Sequence, residues 1–298
     1  MAKSKRIKEG IGYDIVQVLI YIFVGLFALL TVLPFLYIIA GSFATEKELT
    51  ERSFFIIPTE FSINAYKYII STGEIFRGLK NSVYLTIVGT FVQMVFTTTF
   101  AYPLSKSDFR GRNFVLNMVI VTMVFGGGMI PSYLLIKGLG LTDKFAALII
   151  PGAIGAFNMV IVKNFFQDIP KELDEAAKLD GCSDFNIFLK IFLPLSKPVL
   201  ASISLFYAVG HWNDYFGAMI YLTDPKKEVV QVALRRIVLL AAGIQADGTM
   251  LDYGIMGVPP DKAVKMAATV VATVPILLVY PFIQKYFTKG VMIGAVKG

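Results

Sequence analysis

The sequence predicts an all-α membrane protein with six transmembrane helices, and three observations lead there. The 298 residues are 56% hydrophobic and only 16% charged, with a mean hydropathy of +0.67. Soluble domains carry about 25% charged residues, so the deficit is large. The apolar residues gather into six blocks of the length a spanning helix needs, about 20 residues. Lys3, Lys5, Arg6 and Lys8 precede the first block, and the positive-inside rule then places the N-terminus in the cytoplasm.

The first span is Val16–Ala40, with Pro34 as a kink near its far end, preceded by a cytoplasmic tail over 1–15. Its apolar run is too long for a signal-peptide core and lacks a small-residue cleavage site, so it stays as an anchor. The segment 41–80 is mixed and lies outside, with a short amphipathic piece at Asn64–Ile70. A five-helix core follows over 81–284. Its first span, Asn81–Leu104, returns the chain to a basic inner loop, Ser105–Arg112. Asn113–Leu135 is the third span, broken by Gly126-Gly127-Gly128 and Pro131. Irregular backbone at membrane depth survives only under cover of protein or beside water. The glycines are therefore either a bend lining a pathway or a frayed outer end. Phe145–Val162 is a short fourth span interrupted at Pro151-Gly152, and Pro198–Leu222 is the fifth. Thr223–Lys265 lies outside, with an amphipathic piece at Val229–Leu240. Met266–Phe282 is the last span, and the tail 285–298 ends in the cytoplasm.

Between the fourth and fifth spans stands the one long polar interruption on the inner side, 168–198. It reads as two short helices and a tight turn. Pro170 suits the first helical position, and Glu172, Asp174 and Glu175 put negative charge at the positive end of the helix dipole. Asp180-Gly181 is the stop, with the glycine left-handed. Ser183 caps a second helix that carries Phe185, Phe188, Leu189 and Phe192 on one face before Pro194 ends it. Such a hairpin suits a surface gripped by another protein.

Composition removes several functions. The net charge of +7 is scattered between apolar blocks, and no basic stripe tracks a phosphate backbone, so nucleic acid is not a partner. Cys182 is the single cysteine, which rules out an internal disulfide or a metal site of several thiolates. In its turn it is a small residue or, alternatively, a redox group. There is no G-x-x-x-x-G-K-[ST] loop, so ATP is not hydrolysed by this chain, and no H-E-x-x-H or G-x-S-x-G. No catalytic residue, resident cofactor or metal is expected.

Polar residues inside spans are costly and mark pathways or helix contacts. His211, Trp212, Asn213, Asp214 and Tyr215 form a patch suited to a sugar, with amide and carboxylate for hydroxyls and a ring for stacking. The alternative is that they only hydrogen-bond neighbouring helices. Gln93, Asn117 and Asn158 carry the same two readings. A membrane-embedded enzyme using His211 and Asp214 as an acid–base pair is the remaining alternative, and it leaves the hairpin unexplained.

The hairpin carries the most specific pattern: Glu175-Ala176-Ala177, Asp180-Gly181, then Ile191-x-Leu193-Pro194. Without gaps, this resembles the EAA loop of the permease subunits of binding-protein-dependent ATP-binding-cassette (ABC) importers. Trp212-Asn213-Asp214-Tyr215 and the ending Tyr286-Phe287-x-Lys289-Gly290, Gly294-Ala295-Val296-Lys297-Gly298 resemble the carbohydrate branch, in particular the subunit similar to the smaller maltose permease. Gly126 to Pro131 resembles an oligosaccharide subgroup. The likeness covers 81–298, while the N-terminal part matches only in hydropathy.

The resemblance implies a type I ABC importer core in a bacterial cell (inner) membrane, paired with a second, homologous permease. It implies two ATPase subunits holding ATP and Mg, and an extracellular or periplasmic sugar-binding protein that delivers an oligosaccharide. It gives Glu172, Glu175, Ala176, Ala177, Asp180, Gly181, Phe185 and Pro194 to the ATPase contact. Trp212 through Tyr215 with Gln93, Asn117 and Asn158 become candidates for the substrate path. An importer subunit for phosphate, a polyamine or a metal ion is the alternative cargo reading. Few charged groups lie within the spans, which favours a neutral or weakly charged solute.

Overall fold

The computed structural model describes residues 11–241 and 262–295; the basic cluster Lys3–Lys8, the outer stretch 242–261 and the last three residues lie outside them. Fourteen α-helices are named below, and among the described residues the only β pairing is a single bridge, Ala44 to Phe61. The chain divides into two compact units, Met1–Ser71 with Ile237–Val270, and Thr72–Arg236 with Val271–Gly298.

The first unit begins with α1 (Ile11–Ser42), which continues through Pro34. Its apolar side chains are exposed all round, Leu30 at 70% for example, as a helix facing lipid requires. Two short helices follow, α2 (Glu46–Glu51) and α3 (Asn64–Thr72). Thr45 caps α2, accepting from the Glu48 backbone at 3.4 Å. The Glu48 carboxylate is buried and accepts from the Thr59 hydroxyl at 2.6 Å, the Thr59 backbone at 2.8 Å and Arg52 at 2.6 Å. The Thr59 hydroxyl above all, with these other donors, holds the Glu48 carboxyl down at about 2.

The second unit is built on α4 (Glu74–Ser105), a 32-residue helix that begins seven residues before the expected span. At 1.5 Å per residue it is about 48 Å long, enough to cross a bilayer and project beyond it. One side is a ladder of small and polar residues at helical spacing: Gly78, Ser82, Gly89, Gln93 and Thr97, all buried. A side chain at Gly78 would meet the Val230 backbone at 3.0 Å, and one at Gly89 would strike His211. Ser82 accepts from the Val230 backbone at 2.9 Å, and Thr97 shares a 2.7 Å hydrogen bond with Tyr207. Small residues thus let neighbouring helices come close, and hydroxyls satisfy what closeness would leave unpaired.

The third expected span is α5 (Arg112–Val124) and α6 (Met129–Gly138), bent by 116° at the glycines. Gly128 has a φ of 80°, which a side chain would oppose. The backbone thus bends sharply at the triple glycine. The fourth is not one helix. α7 (Ala146–Ile149) stops before Pro151-Gly152, and α8 (Ala156–Gln167) resumes after them. Proline cannot donate to the helix ladder, and the carbonyl of Gly152 is met by Gln93 Nε2 at 2.7 Å. Among the described residues, three helices are long and apolar enough to span a membrane, or five if each bent pair counts as one span. The broken fourth segment accounts for the difference from six.

After the polar hairpin, α9 (Lys171–Leu179) and α10 (Asp184–Leu195), the chain bends by 83° into α11 (Lys197–Trp212). α12 (Phe216–Tyr221), α13 (Val230–Ala241) and α14 (Lys262–Ala295) complete the described chain. Asp143, at a φ of 58°, accepts from the backbone of Thr223 at 2.7 Å and of Asp224 at 2.9 Å, while its carbonyl accepts from Lys227 at 2.6 Å. This latch joins the loop before α7 to the loop before α13.

Candidate coupling hairpin and cargo path

The hairpin forms from local signals. α9 starts after Pro170, which is its cap rather than its first helical residue. The C-terminal end is a Schellman turn: Gly181 donates to the Lys178 carbonyl at 3.0 Å and Cys182 to the Ala177 carbonyl at 2.9 Å. Gly181 sits at a φ of 77° with open space where a side chain would go. Ser183 then caps α10 through the Asn186 backbone at 3.4 Å.

α10 departs from expectation at two points. Helical backbone runs through Pro194 to Leu195, because Phe188–Phe192 widens into a π turn in which Leu193 donates to Phe188. That wider turn takes up the mismatch a proline makes with the helix ladder. The aromatic face also divides. Phe188 and Phe192 are buried against Tyr102 and Phe166, with ring centroids 5.0 to 6.4 Å apart. Phe185 and Leu189 are exposed, as are Leu173 and Leu179 on α9, Leu179 at 89%.

The named hairpin residues divide in the same way. Glu172, Glu175, Ala176, Asp180, Gly181, Phe185 and Pro194 are exposed. Ala177 alone is buried, in the same core as Phe166, Phe188 and Phe192. The hairpin therefore has an outward face and a root.

Sequence reading did not find the residue that fixes the root. Lys106, just past the end of α4, reaches Asp174 at 2.6 Å, and both side chains are about 15% exposed. Its ammonium also lies 4.7 Å from the Tyr102 ring centre and 4.4 Å from that of Phe192. Lys178 approaches the other Asp174 oxygen at 3.3 Å. Burial pushes the Asp174 carboxyl up, but the two lysines outweigh it and hold it below its ordinary value. One lysine thus ties the end of α4 to both arms of the hairpin. A cavity of about 290 Å3 lies beside this pair, lined also by Pro170, Lys171 and Glu175.

The residues suited to a cargo path lie elsewhere on the second unit. Trp212 is buried, while Asn213 is exposed and Asp214 and Tyr215 are half-buried in the turn between α11 and α12. Asp214 is used locally, accepting from the Gly217 backbone at 3.0 Å. The Tyr215 hydroxyl donates to Met219 Sδ at 3.0 Å. Gln93 is buried and joins α4 to the Gly152 break. Asn117 is exposed on α5 and Asn158 half-buried on α8; among the described residues no hydrogen bond joins either to the Trp212–Tyr215 turn. No three His, Cys, Asp or Glu side chains among the described residues come together as a metal site.

An all-helical membrane body with a polar hairpin rooted in its core and open on its outer face defines a membrane transport component that works with a partner. The profile of the family described as binding-protein-dependent transport system inner membrane component matches residues 1–293, and the chain belongs to that family. It is 52% identical over 291 residues to Protein LplC of Bacillus subtilis (strain 168), covering 98% of this chain and 97% of that one. It is also 52% identical over 282 residues to the polygalacturonan/rhamnogalacturonan transport system permease protein YtcP of the same strain, covering 95% and 98%. Among solved structures, a bacterial ABC transporter involved in the import of the acidic polysaccharide alginate matches with a TM-score of 0.85. That match has 31% identity and covers 94% of this chain and 99% of that one. The chain is thus a multi-pass permease component of an ABC importer, served by an ATPase and a substrate-binding protein, and the membrane-enzyme alternative falls away.

Proposed function

We propose that this chain is one of two related membrane subunits of an oligosaccharide importer, and that its hairpin, 168–198, transmits the work of an ATPase to the spans. Two ATPase subunits hold ATP and Mg. One of them grips the outward face made by Glu175, Ala176, Asp180 and Phe185. Closure of the ATPase dimer moves the hairpin, and the spans pass between inward-open and outward-open arrangements. A sugar-binding protein delivers the cargo at the other end of α4, and both termini of the chain lie in the cytoplasm. A cargo shifts such a two-state body only through its different affinity for the two states.

One observation carries this reading: the hairpin has an exposed apolar and acidic face, while its root is locked into the aromatic core through Ala177, Phe188 and Phe192. A loose solvated loop would need no such root. The carbohydrate cargo is supported by two of the similar proteins, one a polygalacturonan/rhamnogalacturonan transport permease and one involved in the import of alginate, an acidic polysaccharide. Along the proposed path, Asn213 and Tyr215 meet the cargo, with Trp212, Asp214, Gln93, Asn117 and Asn158 shaping or lining the way.

Cys182 offers a direct test, because it is the chain's only cysteine and lies exposed in the hairpin turn. A short thiol-to-amine cross-linker added to the assembled importer should join this chain to an ATPase subunit. The product should be absent from Cys182→Ser. Labelling of Cys182 at equal rates with and without the ATPase, and no cross-link, would remove the hairpin from the contact.

A further inference from the structure

α13 carries two adjacent arginines with different surroundings. Arg236 is paired with two acids through one nitrogen, reaching Glu74 at 3.0 Å and Glu228 at 2.7 Å. Arg235 is exposed and makes no ion pair among the described residues. Its guanidinium lies 5.0 Å from the centre of the Tyr215 ring, and one nitrogen approaches Met219 Sδ at 2.9 Å. A guanidinium has five N–H donors in a fixed fork, and a thioether is a weak acceptor for one of them. Most of the fork is therefore left for something else.

The neighbours make the position specific. Gln231 is one helical turn before Arg235 and so shares its face. Its amide reaches Asn213 Oδ1 at 3.5 Å, and Asn213 itself donates to the Val209 carbonyl at 3.0 Å. Met219, which touches both Arg235 and Tyr215, also forms the wall of an apolar cavity of about 430 Å3 with Met129, Ile130, Tyr133 and Phe216. That cavity opens beside the helix that begins after the triple-glycine bend. The nearby acid, Asp214, is turned onto the Gly217 backbone. A guanidinium with no ion pair among the described residues, an aromatic ring, two amides and an adjoining apolar hollow thus meet at one turn.

These groups fit one kind of ligand. A sugar ring stacks its C–H face on an aromatic ring, its hydroxyls pair with amides, and a carboxylate on the ring takes the bidentate fork of an arginine. α13 also lies toward the Glu74 end of α4, whereas Lys106 and the hairpin are at the opposite end. The site is therefore on the far side from the coupling hairpin.

We propose that Arg235, with Tyr215, Asn213 and Gln231, is a site that reads the carboxylate of a uronate unit in the oligosaccharide cargo. The inference rests on the sugar-importer reading above and adds the charge of the cargo and the residue that senses it.

The test is equilibrium binding to the purified, fully assembled importer without its binding protein, using labelled trigalacturonate and its trimethyl ester. The wild type should bind the acid at least about tenfold more tightly than the ester, as one charge-assisted pair allows. Arg235→Gln should weaken the acid by about that factor, leave the ester within about twofold, and so erase the preference. Arg235→Lys should keep part of it, since the charge remains and the fork does not. A wild type without preference, or one that binds neither compound, overturns the proposal. So does an Arg235→Gln variant that keeps the preference, or one that weakens both ligands alike, which would make the arginine a packing residue. Uptake of a neutral oligosaccharide by the same importer in vesicles is scored separately. Uptake without uronate preference defeats only this inference, and uptake of no sugar at all defeats the importer reading.

Discussion

Lys106 and Asp174 are separated by a span, a loop and another broken span, and no local pattern pairs them. Their 2.6 Å contact, with both side chains mostly covered, fixes the hairpin to the end of α4. Removing the lysine leaves a largely covered carboxylate with only Lys178, 3.3 Å from its other oxygen, to pair it. Lys106→Ala should therefore cost about 3 kcal/mol, the lower end for a buried pair broken from one side, while Lys106→Arg should cost little. Thermal unfolding of the solubilised complex measures both. Exchanging the charges, Lys106→Asp with Asp174→Lys, should recover part of the loss, and no recovery would mean that shape rather than charge makes the contact. Glu48 makes a pH prediction. Its folded carboxyl is held at about 2 against an ordinary 4.5, so its contribution to stability is complete above 4.5 and is lost as pH falls toward 2. Wild type should therefore lose stability relative to Glu48→Gln across that window, and parallel acid profiles would count against the assignment. Residues with local roles were legible in advance: Gly181 and Ser183 act on neighbours within five positions, and sequence spacing states that directly. Lys106, Asp143 and Arg236 act across long separations, where only the packed chain chooses the partner.

Among the elements, α4 and the hairpin show what periodicity can and cannot tell. The α4 face of Gly78, Ser82, Gly89, Gln93 and Thr97 is visible in the sequence as small and polar residues at spacings of four and seven. What each would meet is not. A Cβ at Gly89 would fall within van der Waals radius of the His211 ring, so Gly89→Leu should force the α4 and α11 contact apart. Overpacking of this kind costs about 1 to 3 kcal/mol, and reduced yield of assembled complex with a lowered melting temperature is expected. Wild-type stability in that variant would show that the two helices separate at no cost. The broken fourth span illustrates the opposite limit. Pro151-Gly152 marks the interruption, but nothing in the sequence says that Gln93 supplies the missing donor for the Gly152 carbonyl. The π turn over Phe188–Phe192 was hidden for a similar reason. A proline signals trouble for a helix, and whether the backbone ends or widens depends on what holds the flanking rings. Here the burial of Phe188 and Phe192 holds them, and the helix goes on.

In the molecule as a whole, the class was carried by composition and by the gapless Glu-Ala-Ala, Gly, Ile-x-Leu-Pro pattern, both properties of the chain rather than of any contact. The division of labour within the second unit was not. α4 runs between one set of contacts at Asn81, Glu74 and Arg236 and another at its far end at Lys106 and Asp174, with α8 and α11 packed along it. On the proposed mechanism, α4 is the helix that would carry movement from the hairpin toward the turn that holds Asn213 and Tyr215. The most direct test of this account places a leucine at Gly181 in the complete importer. The left-handed φ there costs a side chain about 1 to 2 kcal/mol, and the open space around it means that nothing inside the chain is struck. The account predicts that Gly181→Leu assembles with its partners, hydrolyses ATP without stimulation by loaded binding protein, and takes up no sugar into vesicles. Normal uptake with full ATPase stimulation in that variant would contradict it.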